Sequence, residues 1–261
     1  MDEKILSHDT VLRERVFQTE TKWPQFNLLL DDVASLMNLT PQKSTIVSFE
    51  RGKLYGGFSL LAPYFSNAKF ISVDCSPVSA DDRGAYNESM IDDSRFIQKK
   101  SDFVTNIHEI QLENDVADLV LIPNLVHHIE DQDTLFDEAI RILKPGGQLY
   151  IFEALVREIH QAPDDFLRYT PYGLSAKLLH KGMSIVESKE TGNVFSAIAY
   201  CWVQALEYFP ESDRKSMEEW FFKEHFPKLM IWDSEFKTNN VRKYTRFPTA
   251  FSILSAKNVA E

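Results

Sequence analysis

The chain has 261 residues, of which 44% are hydrophobic and 26% charged, enough to bury a large core and too apolar for extensive disorder. A formal net charge of −11 leaves no broad basic face, which argues against nucleic acid and against an anionic membrane surface as partners. Two cysteines, Cys75 and Cys201, are too few for a disulfide framework or a zinc site. Together with a charged N-terminus that lacks an apolar signal region, they lead us to expect a reducing, cytoplasmic setting.

Residues 1–42 read as helical. WPQFNLLLDDVASLMNL places Phe26, Leu29, Leu30, Val33, Leu36 and Met37 at helical spacing, and the Thr-Pro pair at 40 and 41 stops the run. An alternation follows. STIVSF (44–49) is a short β-rich run, GGFSLLAPYF predicts a helix, KFISVD (69–74) a second strand and RFIQKK (95–100) a third. ADLVLIP (117–123) is nearly continuously apolar, as in a strand covered on both faces. DTLFDEAIRILKPGG then carries Leu135, Phe136, Ala139, Ile140 and Leu143 on one stripe before a Lys-Pro-Gly-Gly stop, and QLYIFEA (148–154) is the next strand. Alternating strands and helices predict a single α/β domain with a doubly wound, mostly parallel sheet and helices on both faces. Ligands of such sheets sit beyond the carboxyl ends of the strands, so chemistry is expected at Glu50–Gly57, Asp74–Ser76, Asp102 and Phe103, Asn124–His128 and Glu153.

The segment VADLVLIPNLVHHIEDQDTLFDEAIRILKPGGQLYIFE (116–153) resembles the fourth-to-fifth-strand region of class I S-adenosylmethionine-dependent methyltransferases. The likeness rests on Asp118, His127, His128 and the Leu143–Gly147 block, and continues through FLRYTPYGLSAKLLHKGMSIVES, covering about 44–190. It implies a Rossmann-like, seven-stranded sheet built as a helical cap (1–42), a cofactor-binding core (43–190), a helical, aromatic insertion (191–245) and a final strand with tail (246–261). Within STIVSFERGKLYGG, Glu50 and Gly52 match the acid and first glycine of the family's first motif, Leu54 stands in place of the second glycine, and Gly56 or Gly57 supplies the third.

The resemblance implies S-adenosylmethionine as cofactor and S-adenosylhomocysteine as product. It implies that Asp74 holds the ribose, Cys75 and Ser76 flank the adenine, Asp102 and Phe103 address its edge, and Asn124 lines the methionine side. A base is needed only for a poorly acidic hydroxyl or a protonated amine, and His127 and His128 are the candidates by position. The acceptor is expected to be a small molecule methylated at oxygen or nitrogen. Arg157, Glu158 and His160 follow the fifth strand on that side, and the insertion's rings form either an acceptor lid, a small core of their own or a homodimer contact. Two other readings stay open. The incomplete glycine loop suits a methyltransferase-fold protein that binds a ligand or partner without methyl transfer, and an acid ending the second strand also suits a nicotinamide cofactor.

Overall fold

The structure is a computed structural model that describes residues 3–18, 25–51, 59–75, 97, 99–159, 162–239 and 247–259. Helices α1 (Glu3–Gln18) and α2 (Phe26–Leu39) precede strands β1 (Thr45–Glu50), β2 (Lys69–Asp74), β3 (Phe103–Val104) and β4 (Ala117–Pro123). Then come α3 (Gln132–Ile142), β5 (Leu143–Ala154), α4 (Pro171–His180) and β6 (Met183–Thr191). Helices α5 (Val194–Ala205), α6 (Glu211–Trp220) and α7 (Phe226–Asn239) lead to β7 (Ala250–Lys257). One sheet collects all seven strands in the order β3-β2-β1-β4-β5-β7-β6. Its pairings are parallel except for β7, which runs antiparallel to both β5 and β6.

Alternation along the strands sorts side chains onto two cores. Ile46, Leu119, Leu121, Tyr150 and Phe152 pack with Leu29, Leu30 and Val33 of α2 and with Val11 and Leu12 of α1. Val47, Phe49, Val120, Ile122 and Ile151 face Leu135, Phe136 and Ala139 of α3 and Leu174 and Leu178 of α4. On the apolar stripe of α2, Asp32 is buried where it accepts hydrogen bonds from Tyr150 (2.9 Å), Ser252 (2.6 Å) and Lys189 (2.8 Å). That carboxylate pins the N-terminal helices to β5, β6 and β7.

Two expectations are corrected. The third strand was expected over 95–100, of which 95, 96 and 98 lie outside the described residues; the strand that pairs with Val73 and Asp74 is Phe103–Val104. Both β3 residues are exposed, as befits a short edge strand flanked by charge. The described part of GGFSLLAPYF forms only a 3₁₀ turn, Ala62–Phe65, because Pro63 lacks the N–H of a continuing α-helix and its ring bars the turn before it; residues 56–58 lie outside the described residues.

The Leu143–Gly147 block sits at the amino edge of the sheet. Lys144 Nζ donates to both oxygens of Asp118 (2.8 Å each), which also accepts the Thr45 amide (2.8 Å). Gly146 has φ +77°, and a Cβ on Gly147 would stand 2.9 Å from the Lys144 carbonyl oxygen. The most family-specific stretch of the sequence therefore opens β5 directly after α3 and lies at the end of the sheet away from the ligand edge.

The segment between β6 and β7 leaves and returns at one point. Thr249 donates its amide to the Thr191 carbonyl at 2.8 Å, and Gly192, with φ +75°, has no room for a Cβ, which would fall 2.0 Å from Thr249 Oγ1. The insertion's rings mostly pack one another. Trp202 stacks on Phe221 at 5.5 Å and touches Trp220 and Phe209, while Ala199, Val203 and Phe221 form the buried centre. Among the described residues Tyr200 alone of these rings joins the main core, its hydroxyl donating to Glu158. No helix among the described residues is long and apolar enough to cross a membrane.

Candidate functional site

Parallel, in-register pairing of β1 with β2 sets Glu50 opposite Asp74 at the carboxyl edge, and alternation turns both side chains toward the same face. Glu50 is 3% exposed and Asp74 fully buried. Glu50 accepts hydrogen bonds from the Ser59 hydroxyl (2.6 Å) and the Leu60 amide (3.1 Å). Burial, working against the hydrogen bonds that Glu50 accepts and aided by a smaller push from the neighbouring Asp74, holds the Glu50 carboxyl above the usual carboxylate range. Two acids forced together in a dry site cost a fold stability, which marks the pair as a candidate for ligand binding.

That shift fixes the sign of a pH effect. A carboxyl whose folded-state pKa lies above its unfolded value of 4.5 contributes stability below that pH, and the contribution is lost as pH rises through the raised value. Glu50→Gln keeps an acceptor for Leu60 and removes the charge. The variant is expected to melt close to the parent near pH 4 and progressively above it toward neutrality. Melting curves across that range check this, and parallel curves would show that folding leaves the Glu50 pKa unshifted.

Beyond Asp74, Cys75 enters the wall of a cavity of about 480 Å³ that continues through Val104, Thr105 and Asn106 to His128 and Phe166. The Cys75 thiol is buried, and burial with the Asp74 charge pushes its pKa up, so it acts as an apolar wall. Asp102 and Phe103 are not among the cavity's lining residues. Asp102 precedes β3, and its carboxylate accepts the Ser72 amide (2.8 Å) and Lys99 Nζ (3.0 Å). The carboxyl end of β3 is instead Thr105–Asn106, which the sequence reading passed over. The available signal was the long interval from Asp102 to Asp118.

Asn124 ends up just past β4 in the left-handed region, φ +56°, a conformation that Asn tolerates well, and its amide donates to the Phe152 carbonyl (2.8 Å). Its Oδ1 is buried without a hydrogen-bond partner among the described residues. Gly52, Gly56, Gly57 and Ser76 lie outside the described residues, as do Leu54 and His160.

The two histidines share a 3₁₀ turn, Val126–His128, with ring centroids 3.9 Å apart, yet they do different work. His127 is fully buried, and its Nδ1 meets Glu153 Oε2 at 2.6 Å, while Glu153 Oε1 accepts the Val126 amide at 2.7 Å. His128 lines the cavity and directs Nδ1 to the Asp164 carbonyl. A carbonyl only accepts, so Nδ1 carries the proton and Nε2 is the basic nitrogen of the neutral ring. Beyond β5, Arg157 lies 3.4 Å from Glu158, and Arg168 pairs with Asp165. No group of three or more metal-ligating side chains forms among the described residues.

Residues 56–151 match the methyltransferase domain family. No curated protein matches the chain. The solved (4+2)-cyclase SpnF superposes with a TM-score of 0.53 at 16% identity, covering 91% of this chain and 83% of its own. A Bacillus halodurans protein assigned as a methyltransferase gives 0.50 at 14% identity, over 88% and 100% of the two chains. Haemonchus contortus phosphoethanolamine N-methyltransferase 2, solved with S-adenosyl-L-methionine, gives 0.49 at 16%, over 97% and 56%. At these identities the likeness is one of fold.

Proposed function

We propose that this chain, which carries a class I S-adenosylmethionine-dependent methyltransferase domain, methylates an oxygen or nitrogen of a small-molecule acceptor, with Asp74 as the cofactor's anchor and His128 as the base. The observation that carries the reading is the buried Glu50–Asp74 pair at the carboxyl edge of β1 and β2, beside a cavity that begins at Cys75. These residues fit the cofactor. Asp74 suits two ribose hydroxyls, the Cys75 and Thr105–Asn106 wall suits a flat purine, and the buried Asn124 oxygen suits a polar methionine end. The purine edge is thus assigned to Thr105 and Asn106 in place of Asp102. Gly52, Gly56, Gly57 and Ser76 keep their family assignment.

When bound, S-adenosylmethionine supplies a sulfonium-activated methyl group. The protein's part is alignment and exclusion of water, and alignment alone is worth roughly 7–11 kcal/mol of barrier. His128, with its proton fixed on Nδ1 by Asp164, presents Nε2 to take a proton from the acceptor. His127 is held by Glu153 within the fold and braces the His128 ring rather than touching the acceptor.

Calorimetric titration with S-adenosylhomocysteine and S-adenosylmethionine tests the first half, and micromolar binding of both is the expected result. Folded protein that binds neither would move the weight to the non-transferring alternative. Once an acceptor is in hand, His128→Ala is expected to slow transfer to a hydroxyl by about 10²- to 10⁴-fold. An undiminished rate would remove His128 from the mechanism.

A further inference from the structure

His8 of α1 is fully buried, 52 residues in sequence from Leu60, whose carbonyl accepts its Nε2 proton at 2.9 Å. Its other nitrogen, Nδ1, accepts the Ile97 amide at 3.3 Å. A carbonyl only accepts and an amide N–H only donates, so one neutral tautomer satisfies both partners and a protonated ring does not. Burial lowers the His8 pKa, in keeping with a neutral ring, and the charged neighbour Asp9 is already held by Arg13 and the Tyr64 hydroxyl. Packing alone does not call for an imidazole here: the ring meets Tyr64 edge to face at 5.7 Å, a contact that an apolar ring would make equally well.

The partner is what distinguishes this histidine. Leu60 is the residue whose amide binds Glu50 Oε2, and the preceding Ser59 gives its hydroxyl to Glu50 Oε1 and its amide to the Lys99 carbonyl. Leu60 is thus clamped on both sides, by Glu50 through its N–H and by His8 through its C=O.

We propose that His8 is a positioning residue of the cofactor site, fixing Leu60 and through it the Glu50 carboxylate, so that α1 is part of the binding machinery and not only a cap. The proposal rests on the cofactor reading given above. It assigns to the N-terminal helix a role in S-adenosylmethionine affinity that its distance in sequence conceals.

Three variants separate the bonds. His8→Phe keeps the ring volume and loses both contacts; His8→Gln reaches the Leu60 carbonyl with its amide nitrogen; His8→Asn places an oxygen near the Nδ1 position and serves Ile97 alone. S-adenosylhomocysteine affinity is measured by calorimetry at a temperature where circular dichroism shows each variant folded. His8→Phe is expected to weaken binding at least tenfold, with His8→Gln recovering to within threefold of the parent and His8→Asn remaining at least fivefold weaker than His8→Gln. A purely structural role would lower melting temperatures but leave affinity in the folded variants unchanged, and affinities within twofold of the parent would overturn the proposal. Should His8→Phe fail to fold, equal affinities for His8→Gln and His8→Asn would overturn it as well. Absence of binding by the parent protein would instead remove the cofactor reading, and this inference with it.

Discussion

Asp74→Asn is expected to raise the dissociation constant for S-adenosylhomocysteine at least tenfold while leaving the melting temperature of the ligand-free protein within about 2 °C of the parent. The side chain is fully buried at the end of β2, and the substitution preserves its shape. Hydrogen bonds to a charged acceptor contribute roughly 1.5–3 kcal/mol each, and about 1.4 kcal/mol is a factor of ten in affinity. An amide keeps one acceptor but loses the charge, so both of the ribose contacts proposed for Asp74 weaken. The fold has less to lose, because removing the Asp74 charge also relieves Glu50 of a like-charged neighbour in a buried site. Calorimetry with differential scanning fluorimetry reads the two quantities apart. Unchanged affinity would remove Asp74 from the cofactor site, whereas a collapse in melting temperature would make it a structural acid.

Glu153→Ala is expected to act the other way, on stability first. Glu153 is 2% exposed and accepts the Val126 amide and His127 Nδ1 at 2.7 and 2.6 Å. Truncation leaves two buried donors without an acceptor, at roughly 1–3 kcal/mol each. A loss of about 3 kcal/mol lowers the melting temperature of a chain of this size by roughly 6–12 °C. Glu153→Gln offers only one acceptor and obliges His127 to change tautomer, so it should fall between the two. Chemical denaturation of the three proteins checks the order. An alanine variant melting within 2 °C of the parent would show that the pair contributes nothing to the fold. Because the His127 and His128 rings touch, transfer activity should fall along with stability.

The sheet was legible because its central strands carry their own pattern. ADLVLIP is apolar enough to be recognised as covered on both faces, QLYIFEA reads as a strand after a clear stop, and helix α3 displays its stripe. The edge escaped for the same physical reason. Two exposed residues make no period, so the apolar Phe96 and Ile97 drew the expected third strand upstream of its true position, and Asp102 was read as a strand end when it precedes the strand. Asp74 and the histidines were singled out because they follow legible strands. The separate duties of His127 and His128 were not, since these depend on Glu153 and Asp164, 26 and 36 residues away. His8 and Asp32 escaped for want of any local sign of their long-range partners, although a lone acid on the apolar stripe of α2 was a visible anomaly.

The pairing of Thr249 with Thr191 has a consequence for how such a protein diversifies. As far as β6 and β7 are concerned, the three helices between them are a hairpin turn that happens to be long, because both ends are fastened at the same rung. Lengthening, shortening or replacing that turn shifts no strand register, and since the helices keep a small core of their own, what it takes from the sheet core among the described residues is Tyr200. Both ends of the cassette also lie at the carboxyl edge of β5, where Ala154 stands opposite Ala250. One segment can therefore be exchanged on this scaffold without moving a strand, so long as Gly192 stays at the fastening.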